Sequence, residues 1–182
     1  ELAYPGSEQT LVVLRRDTFN RAEGLHAGAQ TCDDRDLMLF IDVDVLFDSE
    51  ALDTIRLLTL PSRSVYFPII KSMFKRGSGY WRDYGYGIVA LHKCDYVGFR
   101  RDIVGWGKED VELYDKFVTK TNLTTFRACD PNFVHVFHEM HCSSDLARDQ
   151  RDMCLSSKAS NYLPQQALID RIVENPKILN NL

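Results

Sequence analysis

Four short clusters carry residue types that do chemistry. The first is Asp42-Val43-Asp44, which follows the unbroken apolar run Leu37-Met38-Leu39-Phe40-Ile41. Alternate residues of an extended segment point the same way, so two carboxylates at this spacing offer oxygen ligands to a hard divalent cation. A solvated acidic loop has the same local pattern, but Val45-Leu46-Phe47 continues apolar and puts this pair at the edge of a core. The second cluster is Gly105-Trp106-Gly107-Lys108-Glu109-Asp110. Its glycines let backbone and indole approach a flat ligand, and it delivers two acids to a helix start. Acids there also serve as caps, and the helix dipole keeps a carboxylate ionised, as a general base requires.

The third cluster is Val134-His135-Val136-Phe137-His138-Glu139, followed by His141 and Cys142. On a continuous strand His135 and His138 face opposite sides, so they share one ion only if the chain bends after Phe137. Imidazole together with carboxylate suits manganese, while two structural histidines at a strand end are the plainer alternative. The fourth is Phe19-Asn20-Arg21-Ala22. An arginine at a helix start suits a nucleotide or phosphate, against the ordinary reading of a surface arginine.

Strands and helices must position these groups. Thr10–Leu14 reads as a buried strand, and Phe19–Gln30 as a helix with Ala22, Leu25 and Ala29 on one side. Leu37–Ile41, apolar at every position, suits a central parallel strand covered on both faces. Ser49 reads as the N-cap of a helix through Leu58. Strands are expected at Ser64–Ile70, Tyr86–Leu91, Thr124–Arg127 and Phe133–Phe137. Helices are expected at Glu109–Thr119 (Val111, Tyr114 and Phe117/Val118 on one face), Ala147–Ser160 and Pro164–Glu174. The alternation predicts a single α/β domain over residues 1–182, with a mixed, mostly parallel sheet flanked by helices and ligands at the carboxyl ends of its strands.

Composition narrows the function. The 182 residues carry 22 Lys plus Arg against 26 Asp plus Glu, a net charge of −4, which disfavours nucleic acid as a partner. No apolar run approaches the ~20 residues of a membrane span. The opening Glu1-Leu2-Ala3-Tyr4-Pro5 reads as the middle of a longer sequence, so any anchor is expected upstream. The five cysteines include no Cys-x-x-Cys pair, which argues against a zinc ribbon. A turn plus a short helix could bring Cys142 and Cys154 into a disulfide that pins the histidine loop; two free buried thiols are the alternative. Cys32, Cys94 and Cys129 have no assignment. The sequon Asn122-Leu123-Thr124, with the cysteines, leans toward a secretory compartment.

Taken in order, the four clusters resemble the β4-galactosyltransferase and chondroitin N-acetylgalactosaminyltransferase families, above all the C-terminal domain of chondroitin synthases. Further likeness lies in Tyr66–Ile70, Gly79–Gly87, Gly105–Leu113 and Met153–Ser160. The resemblance implies a GT-A type nucleotide-sugar-binding fold that is N-terminally incomplete here, since the family's earlier strands are missing. The stretch between Phe74 and Gly79 is also shorter than in chondroitin synthases.

The resemblance further implies roles. Asp44 and His138 match metal ligands, and His135 sits where relatives carry another. Asp42 supports the donor, Arg21 contacts it, and Tyr84 lies in the segment that shapes the donor-sugar pocket. Asp110 matches the catalytic base; Glu109 and Trp106 match residues that hold the sugars. The implied cofactor is Mn2+, the donor UDP-N-acetylgalactosamine (UDP-GalNAc), and the acceptor a glycosaminoglycan ending in glucuronic acid. An anionic acceptor calls for a local basic patch, with Lys71, Lys75, Arg76, Arg82, Arg100, Arg101 and Lys108 as candidates. The implied setting is the Golgi lumen, within a type II membrane protein that joins other chondroitin-polymerising proteins. The rival readings are a β4-galactosyltransferase and a non-catalytic polymerising subunit.

Overall fold

The structure, a computed structural model, describes residues 20–105 and 107–162. The expected strand Thr10–Leu14, the expected helix Pro164–Glu174 and Trp106 lie outside the described residues. Helix α1 (Arg21–Ala29) begins where Asn20, in extended conformation, accepts the Glu23 amide on its side chain at 3.0 Å. Ala22 and Ala29 are buried and Leu25 packs beside them, the apolar side the spacing predicts. Strands β1 (Leu37–Phe40) and β2 (Val45–Phe47) follow, then helix α2 (Ser49–Leu58). The N-cap of α2 is Asp48 rather than Ser49; its carboxylate accepts the Ala51 amide at 3.1 Å.

The expected strand Ser64–Ile70 is two strands, β3 (Ser64–Tyr66) and β4 (Ile69–Phe74), parted at Phe67-Pro68. Proline has no amide to give a ladder, so the chain leaves one sheet here and enters another. Strand β5 (Gly77–Trp81) pairs back on β4 through Lys75-Arg76, a tight hairpin where the sequence is short. Strand β6 (Val89–His92), helix α3 (Glu109–Lys120), strands β7 (Thr124–Phe126) and β8 (Cys129–His135) and helix α4 (Arg148–Ser160) complete the described chain. On α3 the buried residues are Glu109, Leu113 and Phe117, with Tyr114 partly covered; Val118 is half exposed, so the buried stripe is rotated from the expected one.

Two four-stranded mixed sheets result, in the orders β1-β6-β3-β7 and β2-β8-β4-β5. The α/β class with flanking helices holds. The parallel majority does not hold among the described strands: only β3–β7 and β4–β8 are parallel, and four pairings are antiparallel. Strand β1 is not a central parallel strand either, since its one described neighbour is the antiparallel β6. It is nonetheless covered on both faces, which is what its composition demands. Met38 and Phe40 enter the core under α1 and α3, while Leu37 and Leu39 pack into the core shared with α2 and the second sheet. Asn122 stands exposed in the loop before β7. Among the described residues no helix is long and apolar enough to cross a membrane.

Candidate functional site

The strand β1 ends at Phe40, and the Val45 amide then donates to the Asp42 carbonyl at 3.2 Å. This turn breaks the extended geometry, so Asp42 and Asp44 take different partners instead of sharing one cation. Asp42 Oδ1 accepts from Arg21 Nε at 3.0 Å and from a terminal guanidinium nitrogen at 2.6 Å. The same guanidinium donates to Glu109 Oε1 at 3.1 Å and to the Gly87 carbonyl at 3.2 Å. Arg21 thus ties the start of α1, the end of β1 and the start of α3 together. Burial opposes its charge, but Asp42, Glu109 and Asp110 hold its pKa above the usual guanidinium value. Burial, and then the charge of Asp110, raises the Glu109 carboxyl above the ordinary carboxylate range, despite Arg21.

Gly87 sets the spacing of these groups. A Cβ built on it would lie 3.2 Å from Asp42 Oδ2, 3.5 Å from the Arg21 guanidinium and 3.9 Å from Asp110 Oδ2. Asp42, Arg21 and Asp110 therefore converge on the space a side chain would fill. The approach to α3 is strongly turned: Gly105 and Gly107 have φ of 95° and 80°, and Lys108, at the N-cap, has φ 79°. Lys108 is held there by Asp149 of α4, and Gln150 donates to the Val104 carbonyl at 3.1 Å.

Asp44 faces the histidines. Its Oδ2 is 3.0 Å from His138 Nε2 and 3.6 Å from His135 Nε2. The two imidazoles meet where β8 gives out: the strand ends at His135, two residues before the expected break after Phe137, and Val136 donates to the Asp44 carbonyl at 2.9 Å. One ligand atom from each of Asp44, His135 and His138 lies within 4.8 Å of the others. Asp44 Oδ1 is buried and has no hydrogen-bond partner among the described residues, a costly state that a cation would relieve. One carboxylate and two imidazoles match the ligand preferences of a first-row divalent metal, so these residues fit one. Burial, reinforced by Arg82, pushes His135 down to about 4 against the pull of Asp44. Its ring is therefore neutral at pH 7, with a lone pair to give.

Cys142 and Cys154 form a disulfide that ties the segment after His138 to α4, with Cα atoms 5.8 Å apart. Closing a loop of this size stabilises a fold by about 3 kcal/mol in the chain-entropy account. The Cys142→Ser/Cys154→Ser variant is expected to lose about that much in denaturant unfolding. Cys32, Cys94 and Cys129 are free thiols.

Two expectations fare differently. Tyr84 is 72% exposed, in the turn after β5, and is not among the groups that converge over Gly87. Arg127 fixes the backbone on either side of it, donating to the Gly85 carbonyl at 3.2 Å and to that of Asp83, with its guanidinium 4.4 Å above the Tyr86 ring. Of the basic candidates, Lys75, Arg100 and Lys108 already face carboxylates, those of Glu139, of Asp102 and Glu112, and of Asp149. The expected strand Tyr86–Leu91 ran through Gly87, whereas β6 begins at Val89; a glycine inside an otherwise apolar strand pattern was the signal there for a close approach.

The sequence profile described as Chondroitin N-acetylgalactosaminyltransferase matches residues 1–168. Human chondroitin sulfate synthase 3 is 36% identical over 192 aligned residues, covering 94% of this chain and 22% of that protein. Mouse chondroitin sulfate N-acetylgalactosaminyltransferase 2 is 36% identical over 177, covering 84% and 32%. Mouse N-acetyl-beta-glucosaminyl-glycoprotein 4-beta-N-acetylgalactosaminyltransferase 1 is more distant, 29% identical over 138 residues and 68% of this chain. The chain spans between about a fifth and a third of the length of the first two relatives. No solved structure matches it. With the profile matched over most of the chain and the acids, arginine and histidines of its motifs gathered at the strand ends, the chain belongs to the chondroitin N-acetylgalactosaminyltransferase family.

Proposed function

We propose that this chain carries the catalytic site of an inverting glycosyltransferase that moves N-acetylgalactosamine from UDP-GalNAc, in β1,4 linkage, onto the glucuronic acid end of chondroitin. The observation that carries this reading is the convergence of Asp42, Arg21 and Asp110 over Gly87, with Asp44, two residues from Asp42, holding its own cluster with His135 and His138. Asp44, His138 and His135 would hold Mn2+. When bound, the ion neutralises charge that builds on the leaving diphosphate. Asp110 takes the proton from the acceptor hydroxyl as that oxygen attacks the anomeric carbon, and one displacement turns an α-linked donor into a β-linked product. Arg21 and Asp42 place the donor; Glu109, beside Asp110 on the first turn of α3, and Trp106, three residues before Glu109 in the sequence, hold the sugars. Tyr84 shapes the donor-sugar pocket.

The relatives' names support GalNAc over galactose, since the three cited all contain either chondroitin or N-acetylgalactosaminyl. A disulfide and an exposed sequon asparagine fit an oxidising lumen, which we assign to the Golgi, within a type II membrane protein that joins other chondroitin-polymerising proteins. The test is transfer of labelled GalNAc to a glucuronate-ended chondroitin oligosaccharide in manganese buffer, with UDP-galactose as competitor. Transfer from UDP-GalNAc that excess chelator abolishes is the expected result. Preference for UDP-galactose would move the chain to the galactosyltransferase reading. Absence of manganese and UDP binding by calorimetry would make it a scaffold.

A further inference from the structure

The register of the second sheet places one row of side chains across all four strands. Val45 pairs with His135, His135 with Ser72, and Ser72 with Tyr80. In this row Ser72 is wholly without solvent exposure, and its Oγ lies 3.2 Å from His135 Nδ1. The other ring nitrogen, Nε2, is the one directed at Asp44. The imidazole is therefore gripped from behind by a buried hydroxyl and presented forward to the carboxylate.

A hydroxyl with no access to water is costly in a strand unless it has a partner, and alanine or valine would pack there without that cost. The partner it has bears on ligation. An imidazole that gives its Nε2 lone pair to a cation must carry its remaining proton on Nδ1, and that proton needs an acceptor. Ser72 Oγ is in place to be that acceptor. A group of this kind fixes the tautomer and the ring plane of a ligating histidine. His138 differs: it is 45% exposed, and its Nδ1 meets the carbonyl of its own chain neighbour Glu139, at 3.2 Å. Of the two rings, His135 is the one whose orientation is set by a neighbouring strand.

We propose that Ser72 is a positioning residue for the candidate cation site: it holds His135 with Nδ1 protonated and Nε2 free to ligate. This rests on the metal reading given above. The clean comparison is Ser72→Thr against Ser72→Val, two side chains of one shape that differ in the hydroxyl. Each adds one heavy atom to the core in the same branched shape, so packing strain is common to them and cancels. Mn2+ binding to the apo protein is measured by calorimetry, with circular dichroism and thermal unfolding to establish that each variant is folded. Ser72→Val is expected to bind Mn2+ about 10- to 100-fold more weakly than Ser72→Thr. Ser72→Ala, which adds no atoms, is expected to weaken binding by a similar factor relative to the parent chain.

Equal Mn2+ affinity in Thr and Val variants, or an unchanged affinity in Ser72→Ala, overturns the proposal and leaves the metal reading standing. A parent chain that binds no Mn2+ overturns both. If Ser72→Val and Ser72→Thr prove unfolded, Ser72→Ala decides. Activity enters none of these readings, so a failed transfer assay does not bear on them.

Discussion

Asp110→Asn is expected to lower kcat for GalNAc transfer by about 10²- to 10⁴-fold while Mn2+ and UDP binding stay as they are. Asparagine keeps the size and the hydrogen-bonding oxygen of the side chain, so the first turn of α3 is preserved. Its amide cannot take a proton from a hydroxyl. The carboxylate reaches the space over Gly87 beside Asp42 and Arg21, at the start of a helix entered through a left-handed turn at Lys108. Removing this charge relieves Glu109, whose carboxyl is raised in part by Asp110, and Arg21, which loses one attraction, keeps its hydrogen bonds to Asp42 and Glu109. The fold is therefore not expected to weaken. The measurement is steady-state kinetics with UDP-GalNAc alongside calorimetry for UDP. Wild-type transfer rates in Asp110→Asn would remove it from the role of base and leave the rest of the site intact.

Asp44→Ala is expected to act on the other half of the site. It removes the carboxylate that, among the described residues, faces both imidazoles. Loss of a neighbour of a metal ligand costs about 10- to 100-fold in affinity, and loss of the charged ligand itself should exceed that range. Mn2+ binding and transfer should fall together, with transfer recovering in part at high Mn2+. Thermal unfolding of the apo protein should not suffer in proportion, because Asp44 Oδ1 is buried without a partner among the described residues and its removal relieves a desolvation cost. The two variants make opposite demands: Asp110→Asn binds metal and fails in transfer, whereas Asp44→Ala fails in both for want of metal. A chain in which Asp44→Ala binds Mn2+ as the parent does would place the cation elsewhere.

Much of the local structure was legible because it depends on near neighbours. Phe19-Asn20-Arg21-Ala22 at a helix start, the apolar run 37–41 and the glycines before Glu109 each announce an element or a turn from within a few residues. Boundaries slipped where two residues compete for one job. Asp48 and Ser49 are both good caps, and Asp48 won because its carboxylate reaches the Ala51 amide. The stripe on α3 was misjudged because Val111 and Val118 are as apolar as Leu113, and which of them is buried depends on what lies opposite.

Local pattern was enough to say that two acids leave a buried strand, that two more open a helix, and that an arginine and two histidines stand ready to meet them. It did not determine who meets whom. Asp42 goes to Arg21 and Asp44 to His135 and His138 because a turn at Asp42–Val45 ends the extended geometry that would have aimed both acids one way. The antiparallel partner of β1, the split of one expected strand at Phe67-Pro68 and the seating of Ser72 behind His135 are likewise matters of long-range pairing. Strand pairing joins residues far apart in the chain, 63 positions for Ser72 and His135, and nothing in the local pattern of either strand encodes which edge it will find.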